Sequence, residues 1–268
     1  IGSALRIATW NINSVRLRAG HVNRLLEQYQ PDIVCLQETK CPPGQFPTSE
    51  FAPLGYEYIA ENGFSGHHGV AIISRIPFEQ MHVHSLCGKN DGRHVSIRLA
   101  KNNLTVHSLY IPAGGDEPDP GINPKFDHKL AFLDEMKTWA ASHVSNGSGE
   151  HVFTGDFNIA PLESDVWSHK QLLKIVSHTP QETERLLDIQ STCDLHDPVR
   201  AQIPEPAKIY SWWSYRSRDW EASNRGRRLD HIWVSKGLAG NCSNAAILKD
   251  VRGWERPSDH VPILVDIA

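Results

Sequence analysis

Three features are scarce in this sequence: paired cysteines, long apolar runs and an excess of charge of one sign. The 268 residues include only five cysteines, and no two of them have the C-x-x-C spacing. This scattered set argues against a disulfide framework and predicts free thiols in a reducing compartment. No apolar run approaches the roughly 18 residues of a membrane span, so we expect no membrane partner. Because the formal net charge is −4, any nucleic-acid site must be a local basic patch.

The chain also lacks a low-complexity segment, a linker and the pattern of a secretory signal. No basic segment followed by an apolar one occurs near its start, and Ile1-Gly2-Ser3 resembles a cloning remnant. These features predict a cytoplasmic protein. A chain of this length can bury about three quarters of its unfolded surface as one domain. We therefore predict a single domain over residues 1–268, and a monomer.

Apolar residues at alternating or helical spacing predict many strands and few helices. Helices are expected at 15–29, 126–144 and 179–189. Runs rich in Val, Ile and Tyr predict strands at 5–10, 32–37, 56–61, 69–74, 78–86, 94–99, 104–110, 152–155, 209–213, 229–234, 245–249 and 261–267. This balance predicts an α+β protein with two packed sheets and helices outside them.

The stretch V-F-T-G-D-F-N-I-A-P at 152–161 is the centre of the predicted site. An apolar run leads into Gly155, and Asp156 and Asn158 follow two residues apart. Residues two apart on an extended chain face the same side, so both side chains can face one cavity. Taken alone, the pattern also suits an Asx-turn, in which both side chains only cap local backbone. The residues at other strand ends decide between these two interpretations.

Carboxylates, amides and one histidine occur at the ends of other predicted strands. Asn11 follows the first strand and Glu38 the second, while Asp230 begins a late strand and Asp259-His260 precedes the last one. In open α/β sheets such strand ends are where ligands collect. Oxygen ligands without a converging Cys/His set favour a hard divalent cation over Zn²⁺. We therefore predict Mg²⁺, with Mn²⁺ as the alternative.

Seven motifs together resemble the exonuclease III family of bacterial abasic-site endonucleases. They are W-N-I-N (10–13), L-Q-E-T-K (36–40), L-Y-I-P (109–112), G-D-F-N-I-A-P (155–161), S-W-W-S-Y-R-S (211–217), N-R-G-R-R-L-D (224–230) and S-D-H-V-P (258–262). S-D-H and G-D-x-N are shared with the wider endonuclease/exonuclease/phosphatase superfamily, whereas L-Q-E-T-K and W-x-x-Y-R-S point to its DNA-repair branch. The resemblance implies the DNase I-like fold, a four-layer αββα sandwich with two mixed sheets between helices.

The resemblance also implies an activity, the metal-assisted hydrolysis of DNA phosphodiesters. The enzyme is expected to cleave 5′ to an abasic site, as an AP endonuclease, and to leave a 3′-hydroxyl. At 3′ ends it is expected to act as a 3′-to-5′ exodeoxyribonuclease and a 3′-phosphatase. The implied partner is double-stranded DNA with abasic sites or 3′ ends. The number of metal ions, the identity of the general base and the relative strength of the three activities stay open.

Site roles follow from the resemblance, residue by residue. The implied metal set is Asn11, Glu38, Asp156, Asn158 and Asp259. Asp156 resembles the residue that orients or deprotonates the attacking water, and Asn158 and Tyr110 resemble hydrogen-bond donors to the phosphate. His260 and Asp230 resemble a carboxylate–imidazole pair. Because a carboxylate raises the pKa of a histidine, the imidazolium can stabilise charge on the phosphate.

A segment rich in tryptophan and arginine, residues 212–228, is the predicted DNA surface. Aromatic rings can stack on bases or line a pocket for a sugar without its base, while arginines hold phosphates. One of Trp212 and Trp213 is expected in the core because they alternate across a strand, and the resemblance favours Trp213 at the abasic pocket. The predicted DNA contacts are Arg93, Lys125, Trp212, Trp213, Tyr215, Arg216, Asn224 and Arg225.

Ala113 departs from the family pattern, which commonly has a polar side chain there that touches the DNA backbone. Its presence puts one phosphate contact in doubt but not the chemistry. Two further hypotheses stay open: a phosphoesterase for inositol polyphosphates or sphingomyelin-type lipids, and a catalytically silent DNA-binding relative. The segment at 212–228 weighs against the first, and the full set of ionisable residues weighs against the second.

Overall fold

Two six-stranded sheets packed face to face form the centre of the molecule. The computed structural model describes residues 4–268, and the predicted cloning remnant at residues 1–3 lies outside them. The strands are β1 (Leu5–Asn11), β2 (Ile33–Gln37), β3 (Tyr58–Asn62), β4 (Val70–Ser74), β5 (Gln80–His82), β6 (His94–Leu99), β7 (Leu104–Tyr110), β8 (Glu150–Asp156), β9 (Leu195–His196), β10 (Asp230–Ser235), β11 (Cys242–Ile247) and β12 (Ile263–Ile267).

Helices flank the sheets and fill their connections. They are α1 (Ala19–Tyr29), α2 (Thr48–Phe51), α3 (Pro124–Ser145), α4 (His169–Leu172), α5 (Pro180–Thr192), α6 (Pro198–Gln202), α7 (Trp220–Ser223) and α8 (Lys236–Ala239). Short 3₁₀ helices occur at Ala52–Leu54, Glu163–Asp165 and Lys249–Gly253. Within residues 4–268, no helix is long and apolar enough to cross a membrane.

Each sheet is mixed, with one parallel pair of strands at its centre. The first sheet has the order β11-β12-β1-β2-β4-β3, and the second has the order β5-β6-β7-β8-β10-β9. β1 runs parallel to β2, β7 runs parallel to β8, and the other neighbouring strands are antiparallel. The two parallel pairs bring four strand ends to one edge of the sandwich, which is where the predicted site residues lie.

Three apolar layers hold the sandwich together. Side chains from both sheets, including Ile7, Ile97 and Ile232, interdigitate between them. α1 packs on the outer face of the first sheet, and α3 and α5 pack on the outer face of the second. The order helix, sheet, sheet, helix confirms the predicted four-layer αββα sandwich. The five cysteines are free thiols, as their spacing predicts.

Two predicted strands were wrong in extent or kind. The strand expected over 78–86 is only the three-residue edge strand β5. The segment 209–213 forms no strand; Trp212 instead makes isolated bridges to Arg227 and to His260. A strand needs a paired strand along its length, whereas this segment forms bridges only at Trp212. Sequence alternation cannot show that difference.

A chain of three buried histidines crosses the outer face of the second sheet. The backbone N–H of His84 donates to Nδ1 of His94, so His94 carries its proton on Nε2 and donates to Nδ1 of His107 at 3.0 Å. Nε2 of His107 in turn lies 3.1 Å from Nδ1 of His151, whose Nε2 lies 3.1 Å from Oγ of Ser148. Each ring thus donates at one nitrogen and accepts at the other, and a second proton on any ring would face another donor.

The three hydrogen-bonded histidines predict a loss of stability in mild acid. Burial lowers the pKa of His94 to about 3 and that of His151 to about 4, and it lowers the pKa of His107 well below the ordinary 6.5. Since the unfolded chain binds these protons first, stability is full above pH 6.5 and falls as the pH drops below it. The free energy of unfolding should fall by about 1.4 kcal/mol per pH unit for each such histidine.

Urea unfolding between pH 6.5 and pH 5 measures this slope. His151→Gln removes one of the three histidines, so it should flatten the slope by about 1.4 kcal/mol per pH unit. A wild-type stability that stays constant over this interval would contradict the assignment of neutral, hydrogen-bonded rings.

Candidate active site

The predicted site residues meet at one edge of the sandwich because of the strand order. Asn11 ends β1, Glu38 follows β2, Tyr110 ends β7 and Asp156 ends β8. Asp230 lies directly opposite Asp156 in the antiparallel pairing of β8 and β10. The carboxyl ends of parallel strands lie at the same edge of a sheet. The two parallel pairs therefore supply most of the site.

Asp156 is the buried centre of this arrangement. Its side chain is 1% exposed, and Oδ1 accepts a 2.9 Å hydrogen bond from the backbone N–H of Asn158. The predicted Asx-type contact is thus present, and the second oxygen faces the other site residues. Gly155 precedes Asp156 at a φ of +147°, where a Cβ would lie 1.9 Å from the carbonyl oxygen of Leu109. Only glycine lets β8 approach β7 this closely just before Asp156.

One amide joins the two carboxylates of the site. Nδ2 of Asn11 donates to Oε1 of Glu38 at 2.8 Å and to Oδ2 of Asp156 at 2.8 Å. Glu38 is half-buried, and its other oxygen lies 3.7 Å from Nζ of Lys40. Ligand atoms of Glu38, Asp156 and His260 lie within 4.8 Å of one another. This oxygen-rich set suits a hard cation such as Mg²⁺.

His260 is held between two carboxylates. Nδ1 lies 2.7 Å from Oδ2 of Asp230, and Nε2 lies 3.4 Å from Oδ2 of Asp156. Asp230 is fully buried and also accepts a hydrogen bond from the hydroxyl of Ser211 at 2.7 Å. The indole of Trp10 donates to the backbone carbonyl of His260 at 3.0 Å and so holds the backbone that carries the imidazole.

Burial and neighbouring charges shift the pKa values of both His260 and Asp156. Burial alone lowers the pKa of His260, but Asp230 and then Asp156 outweigh it and hold that pKa well above its ordinary value. Burial raises the pKa of Asp156 to about 7, although the attraction of His260 opposes the rise. Both ring nitrogens of His260 face carboxylates, which favours the imidazolium form of this side chain.

Tyr110 and Asn158 complete the wall around Asp156. Burial, followed by the charges of Glu38 and Asp156, raises the pKa of Tyr110 well above its ordinary value, so its phenol stays a hydrogen-bond donor. Nδ2 of Asn158 donates to the carbonyl of Ile111 at 2.6 Å. The backbone of Asn158 is left-handed, with φ at 53°, a conformation that asparagine tolerates.

Glu38, Tyr110, Asn158 and His260 line an open cleft of about 520 Å³, and Asp156 lies buried beside them. Its walls combine acidic, apolar and basic side chains, and they also include Ala113 and Asp116. The lining residues are Glu38, Tyr110, Ala113, Gly115, Asp116, Asn158, Ile175, Val176, Ser177, Trp212, Ser214, Arg216, Arg227, Leu229, Asp259 and His260. Asp259, a predicted metal ligand, accepts a 3.0 Å hydrogen bond from the indole of Trp212.

Sequence comparison identifies the family to which this cleft belongs. The Endonuclease/Exonuclease/phosphatase family matches residues 8–260 of the chain. The chain belongs to this family. It is 30% identical to exodeoxyribonuclease III of Haemophilus influenzae over 275 aligned residues, 97% of this chain and 98% of that protein. The resemblance inferred from the seven motifs is confirmed.

Solved structures of family members superpose closely on the whole chain. An AP endonuclease from Archaeoglobus fulgidus has a TM-score of 0.89 at 29% identity and covers 97% of this chain and 98% of its own. The 3′ phosphatase NExo from Neisseria, bound to product DNA hairpin, has a TM-score of 0.90 at 27% identity and covers 99% of this chain and 100% of its own.

In this family member, the two tryptophans of the predicted DNA surface have different places. Trp213 is 2% exposed in the core, where its indole donates to Oδ1 of Asn224 at 3.0 Å. The expectation that Trp213 lines the abasic pocket is therefore corrected: Trp212 lines the cleft instead. Asn224 accepts this hydrogen bond from the buried Trp213 and so contributes to the packing of residues 212–228.

The other predicted DNA contacts fall into two groups. Tyr215, Arg216, Arg225 and Lys125 are exposed, and only Arg216 of these lines the cleft. Arg93 is tied to the protein, since Nε donates to Asp91 at 2.8 Å and Nη1 donates to the carbonyl of Tyr110 at 3.2 Å. Arg93 thus binds Asp91 and the backbone of Tyr110, and this pairing within the protein is the contact that the structure shows for it.

Sequence reasoning missed a buried ion pair behind the site. Lys129 of α3 pairs with Glu182 of α5, and both side chains are fully buried. Nζ of Lys129 also donates to the carbonyl of Asn158 at 2.8 Å and to that of Ala113 at 3.2 Å. The pair therefore ties two cleft loops to the helices behind them. Lys129 stands among Phe126, Leu130 and Leu133 at helical spacing, and this placement in an apolar stripe is the signal that could have identified it.

Proposed function

We propose that this protein is a Mg²⁺-dependent DNA repair nuclease. It hydrolyses the phosphodiester 5′ to an abasic site and removes nucleotides and phosphates from the 3′ ends of duplex DNA. The observation that carries the proposal is that Glu38 and His260 line a cleft with a basic wall, while the buried Asp156 and Asp230 contact them from within the protein. The proposed place of action is the cytoplasm.

Glu38 is the proposed principal metal ligand. It is half-buried at the cleft floor, and the Asn11 amide holds it beside Asp156. Asp259 and Asn158 line the same cleft and offer further oxygens. A bound Mg²⁺ would neutralise charge on the phosphate and on the leaving oxygen. Mn²⁺ has the same preference for oxygen ligands and is the proposed substitute.

Asp156 is the proposed group that orients and deprotonates the attacking water. Its raised pKa makes its carboxylate a stronger base than an exposed aspartate, and Asn11 and Asn158 fix its two oxygens. His260, kept cationic by Asp230, faces the same space and can stabilise the negative charge that develops on the phosphate. Tyr110 adds a neutral hydroxyl donor.

The exposed aromatic and basic side chains beside the cleft are the proposed DNA contacts. Trp212 and Leu229 give the cleft an apolar part, where a flipped sugar without its base can lie. Arg216 at the rim, and the exposed Arg225 and Lys125 beyond it, are placed to hold backbone phosphates. Tyr215 is exposed and anchored by its hydroxyl, which donates to the carbonyl of Pro257 at 2.7 Å.

An incision assay tests this proposal. A duplex with one tetrahydrofuran abasic analogue should be cut 5′ to the analogue in Mg²⁺ and left intact in EDTA. A 3′-phosphorylated duplex should lose its phosphate under the same conditions. Absence of all DNA hydrolysis by the Mg²⁺-loaded protein would contradict the proposal. Hydrolysis of inositol polyphosphates instead would favour a different branch of the family, and DNA binding without turnover would favour a silent relative.

A further inference from the structure

His68 lies in the loop between β3 and β4, at the edge of the sandwich where β2 ends. Its backbone is left-handed, with φ at 49°, and its carbonyl accepts a 2.9 Å hydrogen bond from the backbone N–H of Lys40. The carbonyl of the next residue, Gly69, accepts from the backbone N–H of Thr39 at 3.1 Å. The loop is therefore fixed to the chain that follows β2, and it places the imidazole of His68 beside Tyr110.

The hydrogen bonds of the His68 ring define its protonation state. Nδ1 lies 3.0 Å from the backbone carbonyl oxygen of Asp91, which can only accept, so Nδ1 carries the proton. Nε2 lies 3.2 Å from Nη2 of Arg93, which can only donate, so Nε2 is the acceptor. Burial, followed by the charge of Arg93, lowers the pKa of His68, and the ring is therefore neutral at neutral pH.

Arg93 links this imidazole to Tyr110. Its Nε donates to the carboxylate of Asp91 and its Nη1 donates to the backbone carbonyl of Tyr110, while Nη2 donates to His68. The guanidinium carbon lies 5.2 Å from the centroid of the Tyr110 ring, and the His68 ring lies 5.9 Å from the same centroid. His68 in turn stacks on Phe64, with ring centroids 5.4 Å apart. The neutral imidazole thus completes the set of partners that fixes the guanidinium over Tyr110.

We propose that His68 is a positioning residue for the reaction, acting through Arg93 on the hydroxyl of Tyr110. The inference rests on the proposed function, in which that hydroxyl donates to the phosphate. Misplacing a reacting group by about 1 Å can cost on the order of 10²-fold in rate. His68 does not line the cleft, and within residues 4–268 its ring forms no hydrogen bond to Glu38 or Asp156. Loss of its acceptor should therefore slow the reaction and leave DNA binding nearly unchanged.

A double-mutant cycle with Tyr110 tests this link. His68→Phe keeps a flat ring beside Phe64 and Tyr110 but removes the acceptor for Arg93. We expect it to lower the single-turnover rate constant for abasic-site incision in saturating Mg²⁺ about tenfold, with the Kd of the duplex within about threefold of the wild-type value. In a Tyr110→Phe background, which lacks the hydroxyl, the same change should lower the rate constant by less than about threefold.

Two further variants separate the hydrogen bond from the bulk of the side chain. In His68→Gln, the amide oxygen can accept from Arg93 and the amide N–H can donate to Asp91, so at least about a third of the wild-type rate constant should remain. His67→Phe makes the matched change in the neighbouring exposed histidine, whose side chain forms no hydrogen bond within the described chain. Its rate constant should stay within about threefold of the wild-type value.

Thermal unfolding of each variant separates a loss of fold from a loss of positioning. If His68→Phe does not fold, Arg93→Lys takes its place in the cycle, because lysine keeps the charge but lacks the planar fork that binds three partners. Equal losses in the two backgrounds, a His68→Gln as slow as His68→Phe, or a Tyr110→Phe or His68→Phe as fast as the wild type would overturn the inference. Failure of the wild type on every DNA substrate would instead contradict the proposed nuclease function.

Discussion

Replacing Asp156 by asparagine is expected to lower kcat for DNA hydrolysis by about 10³-fold, the usual contribution of a positioned general base. The asparagine keeps the shape of the side chain and an oxygen that can accept from the backbone of Asn158. It loses the ability to take a proton from water and the charge that faces His260. Single-turnover incision of the abasic duplex in saturating Mg²⁺ measures the effect.

Asp116→Asn is the control for this prediction, since it changes an exposed carboxylate of the same cleft that has no hydrogen bond or ion pair to the proposed catalytic side chains within residues 4–268. We expect its kcat to stay within about threefold of the wild type, in the range of an ordinary surface change. Comparable losses in both variants would mean that the cleft responds to charge in general. A fully active Asp156→Asn would remove Asp156 from the reaction.

Lys129→Met is expected to lower the free energy of unfolding by about 3–5 kcal/mol, because it leaves the buried carboxylate of Glu182 without its cation. Glu182 would keep its hydrogen bonds from the backbone of Ser177 and from Thr179, so its charge would stay buried. The carbonyls of Asn158 and Ala113 would also lose a donor. Urea unfolding followed by tryptophan fluorescence measures the change.

The double variant Lys129→Met, Glu182→Gln separates charge from packing. Replacing both partners removes the uncompensated charge, so a substantial part of the lost stability should return. If the double variant is less stable than Lys129→Met alone, the pair does not act through its buried charge. A loss of less than about 1 kcal/mol in the single variant would likewise contradict this account.

The strand ends were predictable because they depend on local patterns. Glu38 and Asp156 each come at the end of a short apolar run that is typical of a buried strand, and parallel strands bring such ends together. The helix start at 179 was predicted as well, and there the carboxylate of Glu182 accepts a 3.1 Å hydrogen bond from the backbone N–H of Thr179. Short-range chemistry decides these features, so sequence reasoning captures them.

Features that depend on packing between distant segments were not predictable. Alternation indicates that one of Trp212 and Trp213 is buried, but only the surrounding core determines that it is Trp213. Arg227 and Arg228 look alike in sequence, but Arg227 lines the cleft whereas Arg228 is buried and paired with Asp165 and Asp197 on other segments.

The most direct test of the central claim, that this site hydrolyses DNA by water attack on phosphorus, is incision in ¹⁸O-labelled water of a duplex with a natural abasic site, whose C1′ aldehyde also permits β-elimination. Mass spectrometry of the two products identifies the atom that was attacked. The account predicts one ¹⁸O in the 5′-phosphate of the abasic fragment and an unlabelled 3′-hydroxyl on the other fragment. An unlabelled phosphate with an unsaturated sugar end, the product of β-elimination, would contradict it.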